Sequence, residues 1–337
     1  MNTKTSLIEQ TESGLYCPEG DFFIDPWRPV ERAVITHAHA DHARPGCRSY
    51  LATPECARLL ETRLGPDVKV QKLLCGTPLD LNGLRLSLHP AGHILGSAQV
   101  RLERNGEVWV VTGDFKRDPD PTCAPFEPLR CHTLVTESTF GLPVFRWPAP
   151  ETVTAEISVW WRKNAAAGRP SLLFAYALGK AQRILAGVDA TAGPIFTHGA
   201  VEHIVQVYRE AGIRLPPTRA VADARKKDEW AGALVVAPPS AEGSAWMRRP
   251  VNAGRAFASG WMQIRGNRRR RSLDRGFVLS DHADWKGLLD TIEASGAERI
   301  WVTHGYAAEM VQFLREKRLS AEVVRTAFSG ETEAPDA

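Results

Sequence analysis

The 337-residue chain sets 42 Lys and Arg against 39 Asp and Glu, a net charge of +3, so it is no polycation and any nucleic-acid surface must be a local concentration of charge. Its 43% hydrophobic and 24% charged residues are those of an ordinary globular protein, long for one domain and comfortable for two. No apolar run approaches the ~20 residues of a membrane span, and the polar start has no signal-peptide core; six cysteines without a C-x-x-C pair read as reduced thiols in a cytoplasmic protein.

Phe22-Phe23-Ile24 is an apolar run that Pro26 stops, with Asp25 at its end. An acid in that place either caps a turn or supports a metal site from behind by orienting its ligands. Ala33-Val34-Ile35 is the next predicted strand, and Thr36-His37-Ala38-His39-Ala40-Asp41-His42 follows it. Three His and one Asp within six residues fit a solvated polar loop poorly. In extended chain His37 and His39 point to one side. A helix opening after them would set Asp41 and His42 side by side at its start. Imidazole and carboxylate are the donors that zinc and manganese take.

A helix is expected over 54–64, between Pro54 and Gly65, followed by strands over 68–73 and 84–88. His89-Pro90-Ala91-Gly92-His93 then offers two more imidazoles. His93, between glycines 92 and 96, is the better ligand and His89 the structural one. Residues 98–103 and 107–111 form a hairpin about Asn105-Gly106, and Asp114 stands at its end, where a carboxylate can bridge two ions. The strand predicted over 133–137 closes on Glu137.

Pro143, Pro148 and Pro150 mark a change of composition. Helices over 151–167, 179–190 and 201–211 alternate with strands over 172–175, 195–196 and 234–237, the pattern of a small parallel α/β unit. Gly179-Lys180 lacks the glycine framework of a phosphate loop, so no ATP site is expected. Trp261 precedes a run of arginines, Arg265, Arg268, Arg269, Arg270, Arg271 and Arg275. Ligand-type residues then resume after a strand over 277–279 with Ser280-Asp281-His282-Ala283-Asp284. A helix over 285–294 leads to a strand over 299–302 that ends in Thr303-His304-Gly305. A last amphipathic helix covers 307–317, and an acidic tail runs from Gly330. His132, His198 and His203 match no ligand motif and read as structural.

Together these residues resemble the metallo-β-lactamase fold, and within it the nucleic-acid-processing β-CASP branch. The general motifs are His37-x-His39-x-Asp41-His42, His93 in Ala-Gly-His and Asp114 in Thr-Gly-Asp. The narrower ones are Glu137 in Thr-Glu-Ser-Thr-Phe, His282 in Ser-Asp-His-Ala-Asp, His304 in Thr-His-Gly-Tyr, and the segment Phe174-Ala175-Tyr176-Ala177-Leu178-Gly179-Lys180-Ala181-Gln182. The chain is most similar to bacterial ligase-associated DNA exonucleases, and the match runs from about Asp21 to Tyr306. The resemblance implies an αββα sandwich over 1–145 and 276–337 with an inserted β-CASP α/β cap over 146–275. It implies His37, His39 and His93 as ligands of one divalent ion, zinc or manganese. Asp41, His42 and His304 would hold a second, with Asp114 bridging and Asp25 in support. It casts Asp41, Glu137 and His282 as catalytic, the last two orienting the scissile phosphate and helping to protonate the leaving oxygen.

The arginine run adjoins the Ser280-Asp281-His282 motif in sequence, so it reads either as a phosphate-backbone contact with Trp261 as a base-stacking platform, or as a solvated loop with Trp261 in a core. The resemblance favours DNA as substrate, and functional association with an ATP-dependent DNA ligase and a helicase. His304 at its motif is similar to the RNA-processing enzymes and keeps a ribonuclease as the alternative. A catalytically inactive nucleic-acid-binding scaffold would have lost ligands, and here every ligand type is present.

Overall fold

The computed structural model describes residues 6–224, 230–244, 252–264 and 273–326. Arg265, Arg268, Arg269, Arg270, Arg271 and the tail from Gly330 lie outside them. The described residues form two compact units, one of residues before 144 and from 282 onward, the other of residues 144–281.

In the first unit, six strands come first: β1 (Glu9–Thr11), β2 (Gly14–Cys17), β3 (Phe22–Ile24), β4 (Arg32–Val34), β5 (Ser49–Ala52) and β6 (Val70–Lys72). They pair in chain order, antiparallel through β3 and parallel from β3 to β6. Between β5 and β6 runs α1 (Pro54–Leu64), with Thr53 capping its first turn and Pro54 at its first position. β7 (Leu79–Leu81), β8 (Leu84–Pro90), β9 (Ala98–Arg104), β10 (Glu107–Val111) and β11 (Thr133–Glu137) belong to a second sheet.

The second unit holds α2 (Pro150–Ala166), β12 (Ser171–Phe174), α3 (Lys180–Gly187), β13 (Ile195–Thr197), α4 (Gly199–Glu210), β14 (Arg219–Ala220), β15 (Leu234–Ala237), β16 (Gly254–Ala258) and β17 (Arg275–Phe277). All its strand pairs are parallel, in the order β14-β13-β15-β12-β16-β17. Its core joins Leu173, Val236 and Ala256 of the sheet to Ile157 and Trp161 of α2, Ile184 of α3 and Val205 of α4. Near-continuous apolar strands such as Leu234–Ala237 are what a parallel sheet covered on its faces requires.

The chain then returns to the first unit through α5 (Trp285–Ser295), β18 (Arg299–Thr303), α6 (Ala307–Glu316) and β19 (Ser320–Val323). The second sheet runs β19-β18-β11-β10-β9-β8-β7, antiparallel from β7 to β10 and parallel beyond. Alternation sorts its side chains. Trp109 and Val111 face Ile24, Val34 and Leu51 of the first sheet, while Val108 and Val110 face Leu288, Ile292, Met310 and Leu314 of α5 and α6. α1 lies against β5 and β6. The unit is therefore helix, sheet, sheet, helix, with its core between the sheets.

Two expectations shift. The segment after His39 is a tight turn and not a helix: His42 and Ala43 both donate backbone N–H groups to the His39 carbonyl, at 3.2 and 2.9 Å. The strand expected over 277–279 instead ends at Phe277, because its ladder partner β16 ends opposite it at Ala258.

Candidate metal centre and active site

The candidate ligands arrive from strand ends of the first unit. Asp25 follows β3 in a left-handed conformation, φ 45°, which Asp tolerates better than most residues. Its carboxylate accepts from the Thr36 backbone N–H at 2.8 Å, from Thr36 Oγ1 at 2.6 Å and from His42 Nδ1 at 2.8 Å. Thr36 Oγ1 has a single hydrogen, and the carboxylate takes it. The 3.0 Å contact between Thr36 Oγ1 and His37 Nδ1 must then be donated by the imidazole, which leaves the His37 Nε2 lone pair free. The same logic recurs at β18. Thr303 Oγ1 donates to the Thr136 carbonyl at 3.3 Å, so His304 Nδ1, 3.0 Å away, donates to Thr303 and its Nε2 is left as the donor atom. His304 itself has φ 55°, and Ser138 Oγ holds its carbonyl at 2.6 Å.

Four donor atoms meet first. His39 Nδ1 lies 3.2 Å from His37 Nε2 and 3.1 Å from His93 Nε2. Asp114 Oδ2 lies 3.4 Å from His37 Nε2 and 3.8 Å from His93 Nε2. Two ligands ~2.0–2.2 Å from one ion at a tetrahedral angle are about 3.3–3.6 Å apart, so the set has the dimensions of a zinc-type site. Asp114 also joins His42 and His304 in a second set. His42 Nε2 is buried, makes no hydrogen bond among the described residues, and stands 3.4 Å from Asp114 and 3.8 Å from Asp41. A buried nitrogen aimed at two carboxylates fits a cation between them. A small cavity lined by Asp25, Trp27, Asp41, His42, Gly113 and His304 opens at this half. Gly113 must be glycine: at φ 56° any Cβ would strike the Thr36 side chain.

Charge distinguishes the halves. Burial, with the neighbouring His42 charge, holds His37 well below the ordinary imidazole range, and the same two causes lower His304. Burial opposes charge on His42 too, but Asp114, Asp41 and Asp25 outweigh it and raise its pKa well above the usual value. For Asp114 and Asp41 burial likewise disfavours the carboxylate, and the adjacent imidazoles overcome it, His42 foremost, so that both fall below the ordinary carboxyl range.

Glu137 and His282 complete the cluster, with Asp114 as common neighbour. Glu137 is 2% exposed and accepts the Phe115 N–H at 2.9 Å. It also accepts from His282 Nδ1, 2.9 Å from one oxygen and 3.1 Å from the other. Phe115 ties in the other side through its carbonyl, which accepts the Ala283 N–H at 2.6 Å. Asp284 then caps α5 at Gly287 N–H.

Other sequence candidates lie elsewhere. His89 pairs with Glu127 at 3.0 Å and Ser87 at 3.0 Å, outside the cluster. His132 accepts the Val108 N–H at 3.0 Å, and His198 accepts from Ala200 at the start of α4. In the second unit Trp261 is buried edge-on against Phe145, and exposed Arg275 pairs with Glu156 at 2.7 Å. Four braces escape sequence reasoning. Thr36 and Thr303 fix ligand tautomers, Arg63 of α1 donates to the Ala38 carbonyl between His37 and His39, and Thr53 donates to the Gly96 carbonyl at 2.6 Å. The one available signal was the repeated Thr-His pair before a ligand.

No protein-family model matches the chain. Over 315 residues, 91% of the chain, it is 34% identical to a probable DNA ligase of Opitutus terrae, across 30% of that protein. Over 37% of the chain it is 30% identical to an RNase J-like protein of Methanocaldococcus jannaschii, across 32% of that protein. The chain belongs to the β-CASP branch of the metallo-β-lactamase fold. This β-CASP chain spans about a third of the length of these two curated relatives. A crystal structure of a protein of unknown function from Enterococcus faecalis V583 matches it with a TM-score of 0.62, over 89% of this chain and 80% of the other. At 12% identity that likeness speaks for the β-CASP chain's fold alone. No described helix is long and apolar enough to cross a membrane.

Proposed function

We propose that the protein is a metal-dependent nuclease that hydrolyses phosphodiester bonds in DNA, as a cytoplasmic exonuclease of DNA repair. The observation that carries this reading is the Glu137–His282 pair beside Asp114, with His282 Nδ1 2.9 Å from Glu137. Simple ester hydrolysis can proceed with ions and water. An alkoxide leaving from phosphate also needs charge stabilisation or a proton, and an oriented imidazole supplies it.

Two divalent ions, when bound, neutralise the phosphodiester and lower the pKa of the attacking water. His37, His39 and His93 would hold one, Asp41, His42 and His304 the other, and Asp114 would touch both. Zinc is our assignment and manganese the alternative. Glu137 anchors His282 through Nδ1, and Nε2 would meet the phosphate and the departing oxygen. Asp25, through Thr36 and His42, keeps donor lone pairs turned inward on both halves. Arg275, with the neighbouring arginines, would follow the nucleic-acid backbone; Trp261, buried against Phe145, takes the core reading and not the base-stacking one.

The match over 91% of the chain to part of a protein named as a probable DNA ligase supports DNA as substrate and association with a DNA ligase; ATP dependence of that ligase and a helicase partner in repair rest on the family resemblance alone. The RNase J-like relative supports a second reading, an RNA-processing ribonuclease. Metal-loaded protein, given end-labelled single-stranded DNA, duplex DNA and RNA, should shorten DNA from an end and leave RNA intact. His282→Ala should slow it by roughly 10²–10⁴-fold with metal retained. Cleavage of RNA alone would replace the first reading by the second, and no cleavage of any strand would overturn both.

A further inference from the structure

The second unit buries charge that the proposed chemistry does not use. Lys180, Arg183 and Asp281 are 1%, 4% and 1% exposed. Lys180 Nζ lies 3.5 Å from Asp281 Oδ2 and Arg183 Nε 3.7 Å from Asp281 Oδ1. Arg183 Nη1 also donates to the Ser280 carbonyl at 3.0 Å. Lys180 and Arg183 are three residues apart on α3, hence on one face. The start of α3 is itself pinned, because Gln182 accepts from the Gly179 N–H at 2.8 Å and donates to the Ala177 carbonyl at 2.9 Å. The ammonium of Lys180 also sits 4.4 Å over the Tyr176 ring, a cation–π contact.

Taking three charges out of water is costly, and apolar side chains of similar size fill a core at less cost. What the charges add is direction. Asp281 lies at ion-pair distance from two cations, the carbonyl before it accepts from Arg183, and the next residue is His282. Downstream, the Ala283–Phe115 hydrogen bond and the Asp284 cap already fix the chain.

We propose that Lys180, Arg183 and Asp281 are positioning residues that set the backbone from which His282 reaches the leaving oxygen. The inference rests on the nuclease reading of the same site. Asp281→Asn keeps the shape of the side chain and removes its charge. Arg183→Lys keeps the charge and removes the fork that reaches Ser280.

Both variants, as metal-loaded full-length protein, are assayed on a DNA strand and on the same strand with sulfur in place of the leaving oxygen. A thiolate departs without a proton. Each variant should lose roughly tenfold or more in kcat on the ordinary strand, with KM, metal content and rate on the sulfur strand unchanged. In a His282→Ala background neither change should cost anything further, since residues acting through one group are non-additive. Equal losses on both strands, additivity with His282→Ala, or wild-type rates on the ordinary strand would each overturn the proposal. If Asp281→Asn does not fold, Arg183→Lys alone decides by the same outcomes. Wild-type protein inactive on both strands would instead remove the nuclease reading, and this inference with it.

Discussion

Around His37, His39 and His93, three imidazoles meet one carboxylate oxygen, and burial keeps His37 neutral. Around His42 and His304, by contrast, Asp25, Asp41 and Asp114 crowd one imidazole and hold a proton on it. Both halves use a Thr-His pair to set a tautomer, and they share Asp114. The extra carboxylates of the second half, Asp41 among its candidate ligands and Asp25 behind them, therefore make the difference between them. His37 is ready to receive an ion, whereas His42 must give up a proton before it can.

Asp114→Ala should break the comparison altogether by removing the member common to both halves. Hydrolysis should vanish and metal analysis should find both ions weakened. His39→Ala should also abolish hydrolysis while sparing the second half. Full activity in metal-free or His39→Ala protein would end the two-half scheme.

Next in size is the pH dependence. His42 has a raised pKa in the metal-free protein, so it is protonated near neutrality and must release that proton to bind. Affinity of the second half should climb about tenfold per pH unit until pH passes the raised value, and then level off. His37 is depressed, so above the ordinary imidazole pKa it contributes no such slope to the first half. Titration calorimetry in buffers of different ionisation enthalpy would count the protons, and equal release from both halves would refute the contrast.

Asp25→Ala should weaken metal binding by about 10–100-fold. The second half should suffer more, because His42 loses its acceptor directly and His37 only through Thr36. The smallest effects belong to Thr36→Val and Thr303→Val, each about 0.5–1.5 kcal/mol in metal affinity, as for a single hydrogen bond. Competition with a chromophoric chelator would show whether each change stays within its own half.

The site could be read from sequence to the extent that it depends on side-chain type. Imidazoles and carboxylates collect after strand ends, and His37, His39, His93, His42 and His304 come together with Asp114. The braces from Arg63 and Thr53 were illegible because they end on carbonyls. Nothing in an arginine ten residues into a helix, or a threonine at its cap, reveals that Ala38 and Gly96 accept from them. The fold shows the same division. α1 and β11 were legible from Pro54, Gly65 and the short strand-like run that closes on Glu137. β1, β7 and β19 were not, being three or four residues long with polar, exposed faces, and held by their neighbours' ladders. The turn at Asp41 defeated the helix expectation because its two backbone bonds to His39 carry no residue preference.

Strand β11 lies between β10 and β18 in parallel register, with Glu137 opposite Thr303 and Val111 opposite Val135. Glu137 closes β11, and Asp114 and His304 follow the ends of β10 and β18, so their spacing is inherited from peptide hydrogen bonds. That gives the chain an uneven tolerance to length changes. An extra residue at the Asn105-Gly106 turn alters a loop, but one inside β11 turns Glu137 to the opposite face. Over long divergence the apolar side chains of these strands are free to exchange for one another, while their residue count is not.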